Sequence, residues 1–403
     1  MIRNHIKLLI TGVISLMLFA GCNAVEDATN DSEQSEVNKV NDISDEFESR
    51  VLSSQYEQVE LSRVAGPFEY PWSIAFLPDD RMLITEKPGR LNIVENGEIT
   101  EVTGTPEVRA AGQGGMLEVL PHYNYESNGW IYLTFSKPNG DETATALVRG
   151  RLDEHNAFID IEEIFVQNQY SSPGRHYGSK LAWHNDGTLL MSIGDRGADP
   201  PRAQDTEDHA GTLLRMNDDG TVPDDNPFVD DPGVANEIYS YGHRNIQGLV
   251  VDPRTDEIWS TEHGPRGGDE LNIHEAGENY GWPTVTLGRD YRTEGPFPDA
   301  EARSMEGMVD PVYEFLPTHA PSGLVLLTDD SFPAWEGNLL AGGLRSERIR
   351  RLVLYEDEVI HDEELLLGEI GRIRDLRQGP DGHLYVINDS EEGYIYRVAR
   401  VDD

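Results

Sequence analysis

SIAFLPDDRMLITE, residues 73–86, decides the fold: an apolar run, a Pro-Asp-Asp turn, then a second apolar run. Short apolar runs bounded by Pro, Asp and Gly are the pattern of two strands joined by a tight turn. The theme recurs as LEVLPHYNYESNGWIYLTFS from Leu117, LAWHNDGTLLMSIGD from Leu181 and GLVVDPRTDEIWSTE from Gly248. It returns as GLVLLTDDSFPAWEGNLLAGG from Gly323 and LRQGPDGHLYVINDS from Leu376. Six copies, roughly 45 to 75 residues apart and with almost no helical periodicity, predict an all-β six-bladed β-propeller with loop insertions. A β-sandwich has no need of six self-similar units. The natural site of a propeller is the mouth of its central channel, fed by one loop from each blade.

Ahead of the repeats the chain reads differently. Arg3 and Lys7 precede an apolar run from Leu8 to Phe19, too short to span a membrane comfortably, which reads as a secretory signal. It ends Leu18-Phe19-Ala20-Gly21-Cys22, and Cys22 is the only cysteine. A lone cysteine after small residues resembles the lipobox of bacterial lipoproteins, so residues 1–21 are expected to be a lipoprotein signal peptide and Cys22 a lipid anchor. Residues 22–58 are polar and acidic and are expected to be a disordered tether, with residues 59–403 forming the propeller. The expected location is exported, at the cell surface or in the periplasm, held to a bacterial membrane by lipid alone. With no disulfide available, stability must come from the core, to which a metal could add.

The 403 residues include 32 basic and 74 acidic ones, a formal net charge of −42. That charge repels nucleic acid, which excludes DNA and RNA as partners. No phosphate-binding loop, zinc-type Cys-His spacing or serine-nucleophile elbow is present.

Polar residues cluster where the recurrent hairpins begin and end. His176, between glycines in Gly174-Arg175-His176-Tyr177-Gly178-Ser179, is a candidate general base, although a lone histidine is often structural. In Gly112-Gln113-Gly114-Gly115 the glycines admit close backbone approach and Gln113 is the one side chain able to bond a ligand; a plain turn fits equally. Arg372 and Arg374 lie two apart on a strand and so share a face, which suits carboxylates or phosphates, or local acidic partners. Arg345 would add a third positive charge. The stretch Ser240–Pro283 joins Arg244-Asn245 to a strand-like run and a Gly/Pro-rich loop, His263–Glu270. Outward carbonyls there, with the carboxylates of Asp269 and Glu270, suit calcium; a tight strand connection is the alternative.

Taken together, GQGGM, GRHYGSKL, IGDRG, SYGHRNIQG, EHGPRGGDELN, NYGWP and GRIRDLRQGPDGHLYV resemble the soluble pyrroloquinoline-quinone (PQQ)-dependent aldose sugar and glucose dehydrogenases, in order from about Gly66 to Val398. The resemblance implies a sugar dehydrogenase that uses PQQ and calcium, an aldose substrate and an external electron acceptor; a homodimer stays open. By this resemblance His176 is the base, and Gln113, Arg244, Asn245, Thr318, Arg345, Arg372 and Arg374 contact the quinone. Gly264 and Pro265 would hold the catalytic calcium, with Glu270 and Tyr280 at a second calcium. The chain also departs from the family pattern. Arg345 stands where lysine is usual, Arg175 where an acidic residue often orients the base, and Arg196 where a residue helps to define the glucose pocket. These departures point to a broad aldose specificity. A calcium-dependent lactonase and a non-catalytic binding propeller are the rival readings.

Overall fold

The computed structural model describes residues 47–172 and 174–401. The expected signal segment, Cys22 and most of the expected tether lie outside the described residues. Six antiparallel sheets are present, five of four strands and one of five. Their first strands are Pro71–Phe76, Met116–Pro121, Leu181–Trp183, Ile246–Val251, Pro321–Leu326 and Ile373–Gln378. Each packs against the first strand of the next sheet, and the sixth packs against the first, so the sheets form a ring around a central channel. The six-bladed propeller is therefore observed, and each recurrent sequence copy supplies the inner two strands of one blade.

The strand sequences follow from this placement. Inner strands are covered on both faces, and Pro321–Leu326 and Leu189–Ile193 are buried at every position. Outer strands meet water, and Glu98–Val102 buries only its last residue. Between neighbouring blades the apolar side chains interlock; Leu83, Leu91 and Ile93 of the first blade pack with Met116, Val119 and Leu133 of the second. Truncating one such leucine to alanine costs about 2–5 kcal/mol.

The ring is closed by the start of the chain. Gln58–Phe68 pairs antiparallel with Gly393–Arg400, Val59 opposite Arg400 and Phe68 opposite Gly393. Arg50–Ser53 then adds a fifth strand, with Arg50 opposite Leu61. Ordered structure thus begins before residue 59, within the segment expected as tether. The polar composition misled because this edge strand is almost wholly exposed and needs no apolar face. Phe47 anchors it instead, edge-on to Tyr396 at 5.3 Å with the Arg50 guanidinium 5.1 Å from its ring.

Halfway down the channel four charged side chains meet. Lys180 Nζ lies 2.6 Å from Glu118 Oε2 and 3.1 Å from Asp375 Oδ1. Arg377 pairs with Glu118 and, at 3.3 Å, with Asp375. Asp375 Oδ2 accepts the Ile74 N–H at 3.2 Å. The cluster ties together the inner strands of four blades. Gly323, on a fifth, must lack a side chain, because a Cβ there would stand 2.3 Å from Asp375 Oδ1.

Candidate active site at the channel mouth

The loops entering the inner strands, and those leaving the second strands, converge at one end of the channel. His176 enters the third blade with φ 51°, a left-handed backbone that costs a non-glycine residue about 1–2 kcal/mol. Its environment holds it there. The His176 N–H donates to Gln113 Oε1 at 2.7 Å, and the Gly178 N–H donates to Asn245 Oδ1 at 3.1 Å. Gly194 gives way to the loop, since a Cβ there would lie 2.2 Å from the His176 carbonyl oxygen.

His176 Nδ1 lies 2.6 Å from Asp195 Oδ1, and the Asp195 side chain is buried. The same carboxylate accepts the Gly197 N–H at 2.7 Å and the Trp282 Nε1–H at 2.8 Å. Burial raises the Asp195 carboxyl, but His176, Arg244 and the indole N–H outweigh it and hold the group below its ordinary range. A carboxylate in that place keeps a proton on Nδ1, leaving Nε2 as the basic nitrogen. Burial, reinforced by Arg244 and Arg175 and opposed by Asp195, lowers the His176 pKa below its usual value.

This geometry corrects the expectation that Arg175 deprives the base of an orienting carboxylate. The carboxylate comes from IGDRG, where the third hairpin ends, rather than from the residue before the histidine. Arg196 of the same motif does not shape the mouth. It is fully buried, donates to the Arg175 carbonyl (2.5 Å) and Thr143 Oγ1 (2.9 Å), and its guanidinium lies 3.6 Å over the Tyr177 ring.

Beside Gln113 opens a cavity of about 330 Å³, lined by Trp72, Lys87, Gln113, Asn245, Arg372 and Arg374 among others. The His176 ring itself does not wall it; Gln113, Tyr177 and Gly178 do. Arg372 and Arg374 converge as expected, and both reach Asp389 Oδ2, at 2.8 and 3.3 Å. Burial acts against ionisation, yet Arg374 and Arg372 hold the Asp389 carboxyl below its ordinary range. Lys87 Nζ donates to the Gly112 carbonyl at 3.0 Å, and burial with the two guanidiniums lowers its pKa. Three cations thus face one carboxylate.

The third cation is Lys87, where Arg345 had been expected. The Arg345 side chain is exposed and lines an adjoining cavity of about 530 Å³ with Thr318, Gly264 and Tyr291. The two cavities share His263 and Ala320. Asp195, Lys87 and Asp389 all stand where a recurrent hairpin ends, so the positions were visible in the repeats. Their roles were not, since a single acidic or basic residue leaving a strand is ordinary in so charged a chain.

Arg244 and Asn245 enter the fourth blade. The Arg244 N–H donates to Glu262, its Nη1 donates to the His263 carbonyl at 3.0 Å, and its guanidinium lies 5.4 Å over Trp282. The Asp269 carboxylate is no free cation ligand. It accepts the N–H groups of Gly264 (3.1 Å), His319 (2.8 Å) and Ala320 (2.7 Å) and so fixes the loop. Glu270 stands opposite Glu262 on the neighbouring strand, and both line a narrow cleft with Gly264 and Tyr280. Burial and Glu262 push the Glu270 carboxyl well up, and burial lifts Glu262 to about 7. Among the described residues no basic side chain pairs with Glu270; Asn272 is its hydrogen-bond partner, at 3.4 Å. The Tyr280 hydroxyl donates to the Ile273 carbonyl and accepts the Glu275 N–H, which leaves the main-chain oxygen as what Tyr280 can offer a cation. Among the described residues no three His, Cys, Asp or Glu side chains form a metal cluster; the loop's backbone carbonyls are the further oxygens suited to a hard cation.

A family model described as Glucose / Sorbosone dehydrogenase matches residues 68–397. The aldose sugar dehydrogenase of Escherichia coli strain K12 is 38% identical over 346 residues, spanning 85% of this chain and 93% of that one. Quinoprotein glucose dehydrogenase B of Acinetobacter calcoaceticus is 30% identical over 270 residues, 60% of this chain and 56% of its own. The PQQ-bound aldose sugar dehydrogenase of Streptomyces coelicolor superposes with a TM-score of 0.70 at 27% identity, covering 88% of this chain and 98% of that one.

Proposed function

The chain belongs to the glucose/sorbosone dehydrogenase family, and from that premise we propose that it oxidises aldoses at the anomeric carbon to lactones, with PQQ and calcium as cofactors. The observation that carries the reading is the oriented His176–Asp195 pair next to a cavity with three cations and one carboxylate. A tri-anionic quinone meets that excess of positive charge, whereas a neutral lactone would leave it uncompensated. When bound, the quinone supplies a two-electron hydride acceptor whose carbonyl calcium polarises.

The residues divide the remaining work. His176 Nε2 takes the proton of the anomeric hydroxyl while Asp195 steadies the imidazolium that forms. Arg372, Arg374 and Lys87 bind carboxylates, Trp72 offers the cavity an aromatic wall, and Gln113 and Asn245 hold the loop of the base while facing the ligand. Thr318 and Arg345, in the adjoining cavity, and Arg244, which holds the His263 carbonyl beside it, would contact the cofactor. The carbonyls of Gly264 and Pro265 would hold the catalytic calcium, and Glu270, which has no basic partner among the described residues, would hold a second ion with the Tyr280 main chain.

The test uses the soluble protein with PQQ and calcium and follows reduction of an artificial dye by a panel of aldoses. Dye reduction should require quinone, calcium and sugar together, and His176→Ala should lower kcat by about 10²–10⁴-fold. Quinone binding without sugar oxidation would remove the substrate assignment; absence of quinone binding would favour a lactonase or a binding propeller. We also propose export with acylation at Cys22, which predicts fatty-acid labelling that Cys22→Ser abolishes.

A further inference from the structure

We propose that Trp282 is a positioning residue for the base: its indole N–H fixes Asp195, and through Asp195 the protonation and aim of His176. The inference rests on the dehydrogenase reading for its kinetic consequence and on geometry alone for its physical one.

Trp282 is 4% exposed and touches both halves of the site. Its Nε1–H donates to Asp195 Oδ2 at 2.8 Å, so that Oδ1 is the oxygen turned to His176 Nδ1 at 2.6 Å. Its ring lies 5.4 Å below the Arg244 guanidinium. The position of the indole is determined independently of the base. The Trp282 N–H donates to the Gly242 carbonyl at 2.9 Å, its carbonyl accepts Gln204 Nε2–H at 2.8 Å, and Phe297 packs on the ring at 4.7 Å. Indole offers one donor and no acceptor, so the Asp195 oxygen that it meets must be one that carries no proton. Without it, Asp195 retains the Gly197 N–H and the imidazole on Oδ1, while Oδ2 is left buried and unpaired, free to rotate toward His176.

The sign of the effect follows. The groups facing His176 are Asp195, Arg175, Arg244 and His263. Removing a donor from Asp195 concentrates its negative charge on the imidazolium, which raises the His176 pKa. Trp282→Phe should therefore move the acid limb of the kcat profile to higher pH and lower kcat about tenfold, with KM for sugar and the affinity for PQQ near their original values. In an Asp195→Asn background the same substitution should add nothing, because the path runs through that carboxylate.

A readout independent of activity is the nitrogen-edited proton spectrum of the apoprotein. The Trp282 indole N–H resonance should titrate with the midpoint of the His176 imidazole, and lose that titration in Asp195→Asn. This measurement needs no folded Trp282 variant and does not depend on which sugar is oxidised. An indole resonance insensitive to His176, or an equal loss of activity from Trp282→Phe with and without Asp195, would overturn the proposal. If the aldose assay fails while the indole follows His176, the coupling stands and the reaction assignment falls.

Discussion

The channel holds two clusters of basic side chains that differ in one respect. Halfway down, Lys180 and Arg377 face Glu118 and Asp375, two charges against two. At the mouth, Lys87, Arg372 and Arg374 face Asp389 alone. The deep cluster is complete, and Lys180 is 1% exposed. The mouth cluster is left short of negative charge in a chain whose net charge is −42, where carboxylates are abundant. A surplus of cations kept amid so many acids marks where a ligand brings its own anions, while balance marks a structural tie. Charged residues therefore carry functional information here through their stoichiometry more than their number.

The sharpest test of the contrast lies in the deep cluster. Lys180→Met should leave Glu118 and Asp375 to share Arg377 alone in the channel and destabilise the fold by about 3–5 kcal/mol, read from denaturant unfolding. A stable Lys180→Met protein with impaired cofactor binding would erase the distinction. Next in size, Arg374→Ala should weaken PQQ binding by about 10- to 100-fold, the loss of one charge-assisted pair, while the unfolding midpoint changes little. A stability loss as large as that of Lys180→Met would show the mouth to be structural as well. The third effect, which vanishes at neutral pH and grows only on acidification, comes from a neighbour of the mouth that should stay neutral. Burial first, then Arg350 and Arg348, lower His319 to about 3. Its folded pKa lies below its unfolded one, so the unfolded chain binds the extra proton and stability falls as pH drops from 6.5 toward 3. The slope attributable to this residue is about 1.4 kcal/mol per pH unit, and His319→Gln should flatten the stability curve by that amount.

The fold was legible because a repeat leaves its mark on the sequence. Each inner hairpin is apolar on both faces and turns on Pro, Asp or Gly, so copies such as Leu181–Asp195 and Leu376–Ser390 could be aligned by eye. The ring closure left no such mark, since Gln58–Phe68 and Gly393–Arg400 lie at opposite ends of the chain. The site was legible in part. His176 and the two arginines stood out by type and spacing, and the structure brings Arg372 and Arg374 onto one carboxylate. Asp195, Trp282 and Lys87 were missed because they come from different blades; which of many acidic or aromatic residues turns toward a histidine is settled by three-dimensional packing. Asp269 was misread for the same reason: its carboxylate is spent on three backbone N–H groups that the sequence does not place nearby.

The seam between residues 58–68 and 393–400 also fixes an order of events during synthesis. Residues 58–68 leave the ribosome long before their partner, residues 393–400, so a nascent chain that stops short of these cannot close the ring. Until residue 400 is made, every intermediate is an open arc with an unpaired edge. The mouth, which draws on the last blade for Arg372, Arg374 and Asp389, can therefore assemble only once that blade has been made.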